Sequence, residues 1–142
     1  TLFRSTVPAK TIHTNVSGVQ TGALDPAKGM FWTWNSGYIM AKLEGSSSAS
    51  NQVNQRFEYH IGGFSGVNNT VKKIVLPLST PLVIEAGKTA AINIETDVDA
   101  WWQNPHALTI TQTPVCTTPG TLAKNIADNY SKQFSIKTVN KN

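Results

Sequence analysis

Hydrophobic and polar residues alternate most cleanly over residues 56–61. Phe57, Tyr59 and Ile61 fall on one face of a strand, and Arg56, Glu58 and His60 on the other. Tyr38 to Glu44 alternates in the same way, with Ile39, Ala41 and Leu43 inward and Tyr38, Met40 and Lys42 opposite. Before it, Phe31-Trp32-Thr33-Trp34 is aromatic and β-branched, which suits a strand, and the period of two puts Trp32 and Trp34 on one face. Asn35-Ser36-Gly37 reads as a turn or bulge between these two runs. Lys72 to Leu78 is expected to form a strand near an edge or an end, because Pro77 cannot donate to a ladder. Leu82 to Glu85 and Thr89 to Val98 are expected to pair antiparallel around Ala86-Gly87-Lys88, with Ile92, Ile94, Thr96 and Val98 facing one way. Phe134 to Val139 is a candidate last strand.

The period changes in two places. Asp97 to His106 breaks the alternation and suits one helical turn stopped at Asn104-Pro105. Leu122, Ile126 and Tyr130 recur at i, i+4 and i+8, the mark of a helix face, with Thr121 as a candidate N-cap. Leu108 to Thr111 is short and extended, and 45–54, 62–69 and 113–120 read as loops. Residues 1–29 are an irregular segment punctuated by Pro8, Gly18, Gly22, Pro26 and Gly29. The expectation is a single domain over 1–142, mainly β: an antiparallel β-sandwich of about six strands over 30–142 with one short C-terminal helix.

Composition sharpens this picture. The chain has 142 residues, a soft prior for one domain, and only 14% are charged, against a usual share of about 25%. Four Trp, five Phe and three Tyr are too much aromatic surface to leave wet, which excludes a disordered chain. The net charge of +4 comes from few acids, and Lys72 and Lys73 are the only adjacent bases, so no nucleic-acid footprint is present. Cys116 is alone, so neither an internal disulfide nor a cysteine-based zinc site can form. No apolar run is long enough for a membrane span. A mature or trimmed, exported product is expected, since the chain opens on Thr1 and carries little charge.

Enzyme signatures are missing. There is no Gly-x-Ser-x-Gly elbow, no Walker loop and no strand followed by GxGxxG. Gly62-Gly63-Phe64-Ser65-Gly66 is glycine-rich, but no helix pattern follows it to receive a phosphate. Glu44, Glu58, Glu95, Asp97 and Asp99 are available as paired carboxylates, and nothing selects a pair. The expectation is therefore a protein that is not an enzyme. The histidines are His13 in the opening segment, His60 at a strand end and His106 on a loop. Imidazole is a good transition-metal ligand, but neither HxH nor HExxH occurs, so spacing alone selects none of them. Trp101, Trp102 and Tyr38 suit either a core or a surface on which sugar rings stack. The alternatives are therefore a carbohydrate or surface-ligand binding sandwich, and a structural domain holding no metal.

Gly29-Met30-Phe31-Trp32-Thr33-Trp34-Asn35-Ser36-Gly37-Tyr38, followed by Phe57-Glu58-Tyr59-His60-Ile61-Gly62-Gly63, resembles the MbnP-like family of copper-binding proteins, named for partners of the copper chelator methanobactin. Ile12-His13-Thr14-Asn15-Val16-Ser17-Gly18 and Gly22-Ala23-Leu24-Asp25-Pro26 are similar to the family's upstream segment, and Ile126 to Phe134 resembles the tail of its Bacteroidota-type version. The resemblance implies a secreted β-sandwich that is periplasmic, outer-membrane-anchored or extracellular and binds one copper ion, Cu(I) or Cu(II). It implies His13 and His60 as ligands, with His106 as an alternative. It also implies an oxidised tryptophan, kynurenine, at Trp34 or Trp32, with Trp34 favoured. Glu58, two residues before His60 on the same strand face, is a candidate to orient the ring, and a surface pair with lysine is its other reading. Two departures stand out. Phe64-Ser65-Gly66 occupies the place where copper-linked members often carry cysteines, and the chain enters the family pattern partway through. The N-terminal part of the domain is therefore expected to be missing or to sit on a partner chain.

Overall fold

The computed structural model describes residues 21–32, 34 and 37–141. Five strands form two sheets among these residues: β1 (Ile39–Ser46), β2 (Arg56–Gly62), β3 (Ala90–Thr96), β4 (Val115–Cys116) and β5 (Phe134–Lys141). One α-helix, α1 (Thr121–Tyr130), lies between β4 and β5. The fold is mainly β with a short C-terminal helix, as the periodicity predicts.

The first sheet has the order β1-β2-β4. β1 and β2 pair antiparallel, with Leu43 opposite Tyr59 and Lys42 opposite His60. β4 is a correction to the all-antiparallel expectation, since its two residues run parallel to β2. The second sheet pairs β3 with β5, setting Ile92 against Val139 and Ile94 against Ile136. The turn at 86–88 predicts that β3 pairs with 82–85, but neither 82–85 nor 72–78 forms a strand. Val75, Val83 and Ile84 there are exposed, so the alternation in these stretches has no apolar layer to meet. The turn between them and β3 does form: Lys88 N–H donates to the Glu85 carbonyl, with Gly87 at φ +76°. Leu108 to Thr111 is also not extended; the chain turns there, with Thr113 N–H donating to the Thr109 carbonyl.

The core lies where α1 crosses β2. Tyr59 and Ile61, the inward residues of β2, pack with Ala123, Ile126, Ala127 and Tyr130 of α1 and with Trp101 and Cys116. Burying these apolar side chains is what holds α1 in place, because a ten-residue helix is marginal alone. Its cap is Gly120 rather than Thr121, which is already the first helical residue. The break at 97–106 is a 3-10 turn over Val98–Trp102, capped by Asp97, whose side chain accepts from Asp99 N–H at 3.1 Å. Asn129 fastens this segment to α1. Its amide donates to the carbonyls of Trp101 (2.9 Å) and His106 (2.7 Å) and accepts from His106 N–H (2.9 Å). That leaves the fully buried Asn129 amide satisfied on both its donor and acceptor sides.

Candidate metal site around His60

The Trp-rich run does not continue as a strand. Phe31 bridges antiparallel to Tyr38, Trp32 N–H donates to the Gly37 carbonyl, and Ile39 N–H donates to the Met30 carbonyl. The chain doubles back within a few residues, and this tight hairpin separates the two indoles that strand periodicity had put on one face. Trp32 is 4% exposed and Trp34 is 61% exposed. Their rings still touch, with centroids 5.7 Å apart.

The hairpin is seated on the end of β2. A Cβ on Gly62 would lie 2.6 Å from Trp32 Cη2 and 2.7 Å from the Tyr38 carbonyl oxygen. Gly62 and His60 are two residues apart on one strand, so they share a face. The Trp32 ring thus fills the place of the side chain that would stand next to His60. Trp32 Nε1 is buried with no hydrogen-bond partner among the described residues. A buried orphan donor is uncommon in folded proteins, and here it lies in the same neighbourhood as the histidine.

His60 projects from the polar face of the β1–β2 ladder, where its side chain is 19% exposed. Its Nε2 lies 2.6 Å from Glu44 Oε1, across the ladder on β1. Lys42, directly opposite His60, approaches the same Glu44 oxygen at 3.4 Å. The hydrogen bond from His60 holds the Glu44 carboxyl below the usual carboxylate range; partial burial pulls it upward, and Lys42 adds to the lowering. Glu58, expected beside His60, is turned to Arg56 at 2.6 Å instead. The carboxylate on the imidazole therefore comes from the cross-strand neighbour rather than from the same strand. No i, i+2 count reveals this; the register of β1 on β2 does.

His106 belongs to a different cluster. Its Nε2 lies 3.4 Å from Asp128 Oδ2, and Lys72 and Lys124 both reach the same carboxylate, Lys124 at 2.6 Å. Burial would raise the Asp128 carboxyl, but the hydrogen bonds and charges of Lys124 and Lys72 outweigh it and hold the group well below the usual range. His106 and His60 are not brought together: among the described residues no group of three His, Cys, Asp or Glu side chains gathers at one point. His13 lies outside the described residues. Cys116 is buried in the core, where desolvation pushes its thiol up to about 11.

The three rings of the carbohydrate reading are drawn into or against the core. Trp101 and Tyr38 are buried. Trp101 donates to Gln133 Oε1 at 2.9 Å, Trp102 donates to the Tyr59 hydroxyl at 3.3 Å, and Tyr38 donates to the Leu24 carbonyl at 2.8 Å. Trp101 and Tyr38 are thus committed to the interior, and Trp102 packs partly buried against the core.

The described donor set is one imidazole held by a carboxylate, next to a buried indole. An imidazole with a carboxylate on one ring nitrogen is a frequent arrangement of metal-binding histidines, and nitrogen ligands suit copper. It defines a small, mainly β protein whose described residues include one histidine held by a cross-strand carboxylate. The MbnP family model matches residues 3–118, and the chain belongs to this family, whose members are methanobactin-related copper-binding proteins. The match includes both Trp32 and His60, while α1, which completes the core, and β5 lie beyond it. No curated protein and no solved structure matches the chain. No helix among the described residues is long and apolar enough to cross a membrane.

Proposed function

We propose that this chain is a non-enzymatic copper-binding protein of the cell exterior or periplasm that holds one copper ion through His13 and His60. The observation that carries the reading is the seating of Trp32 on Gly62. It sets the Trp-rich stretch against the end of the strand that carries His60, which supports the reading. The donor chemistry agrees. A neutral imidazole binds Cu(I) or Cu(II), and two such ligands leave a position open for transfer or for a further ligand.

Trp34 is the proposed site of oxidation to kynurenine, with Trp32 lining the site. Its exposure gives an oxidant access, and its ring lies against Trp32, which is packed on the end of the His60 strand. Intact-mass measurement tests this part separately, because kynurenine differs from tryptophan by one carbon lost and one oxygen gained. Copper titration of the metal-free protein tests the ligands. His60→Ala and His13→Ala are each expected to weaken binding strongly, whereas His106→Ala is expected to leave it unchanged. Parent-like binding by His60→Ala would contradict the proposal.

A further inference from the structure

We propose that Glu44 is a positioning residue that fixes the His60 ring with its proton on Nε2, so that the copper ion is taken through Nδ1. The inference rests on the reading of His60 as a ligand and adds which ring atom binds and what selects it. The argument is one of donors and acceptors. Glu44 Oε1 lies 2.6 Å from His60 Nε2, a short, charge-assisted distance. An ionised carboxylate can only accept, so Nε2 must be the donor. Neutral imidazole carries one N–H, which leaves the lone pair on Nδ1 as the only ring site able to bind a metal. Lys42 faces the same oxygen from the position opposite His60 and favours the ionised carboxylate. Glu58, the other carboxylate on this face of β2, is turned to Arg56 and does not compete for the ring.

The arrangement also predicts what Glu44 contributes. A carboxylate on the far nitrogen raises the basicity of the ligating nitrogen and removes the entropy of choosing a tautomer and a ring orientation. Metal affinity is expected to fall about tenfold to a hundredfold when such a partner is lost.

Histidine-labelled full-length protein, followed by long-range proton–nitrogen correlation with anaerobically supplied Cu(I), tests this directly. Metal-free protein is expected to show His60 with Nε2 protonated and Nδ1 bare, and Cu(I) is expected to move the Nδ1 resonance. Glu44→Gln is expected to show a mixture of both tautomers without metal, and a weaker Cu(I) complex. Glu44 is a surface residue of β1, and circular dichroism will show that the variant keeps the fold. A Cu(I) complex in which Nδ1 carries the proton and Nε2 has lost it would overturn this proposal and leave His60 as a ligand. Cu(I) that moves neither nitrogen would overturn the copper reading of His60 together with the proposal.

Discussion

Trp32 occupies the space that a side chain on Gly62 would need. The indole Cη2 stands 2.6 Å from the place of a Cβ there, and the Tyr38 carbonyl oxygen 2.7 Å from it. One obstruction is a ring and the other is backbone, so Gly62→Ala cannot be relieved by a rotamer change alone. Overpacking of this kind costs about 1–3 kcal/mol. Urea denaturation of Gly62→Ala is expected to show that loss, with a shift in tryptophan emission as Trp32 is pushed outward. Parent-like stability and emission would show that the hairpin is not seated on β2.

Asn129 joins α1 to the segment that carries Trp101 and His106. Asn129→Ala removes three hydrogen bonds and leaves two carbonyls and one amide unpaired in the interior. The expected loss is about 3 kcal/mol, from unsatisfied buried groups rather than from lost apolar area. Amide exchange should report the same change locally, with His106 N–H losing protection before the β1–β2 ladder does.

Cys116 is predicted to be inert while the protein is folded. It is buried against Tyr59 and α1, and its thiol is pushed up to about 11, so little thiolate forms near neutral pH. Reaction with a thiol-specific reagent should be slow under native conditions and fast in denaturant. Rapid native labelling would place Cys116 at the surface.

Asp128 should make stability depend on pH in the acid range. Its folded-state pKa is depressed by Lys124 and Lys72, so its contribution is complete above the unfolded value of about 3.9 and is lost as pH falls towards the folded value. The carboxylate is only partly shielded from water, and the contribution is about 1–2 kcal/mol. Thermal unfolding of Asp128→Asn is expected to start from lower stability at neutral pH and to fall less steeply than the parent below about pH 4.

Much of the fold was legible because its signals are local. The alternation over 38–44 and 56–61 marks β1 and β2, and the spacing of Leu122, Ile126 and Tyr130 marks α1. Residues 72–78 and 82–85 carry a similar alternation but have no partner strand, and a strand is defined by its partner as much as by its pattern. β3 pairs with β5 instead of its sequence neighbour, a long-range choice that no turn signal announces. At the site, His60 was visible as a strand-end histidine. Trp32 and Trp34 were separated by a hairpin that interrupts the period of two, and Glu58 lost its expected role to Glu44 because register, not sequence distance, decides which carboxylate meets the ring. Asn129 was missed because a single asparagine within a helix has no pattern until the segment it binds is folded against it.

The central claim is that His60 holds copper. An anomalous difference map at the copper edge, from crystals of the copper-loaded full-length protein, tests it most directly. A single strong peak at bonding distance from the His60 imidazole, on its Nδ1 side, is the predicted result. A map with no peak there, or with the copper at His106 and Asp128, would contradict the account.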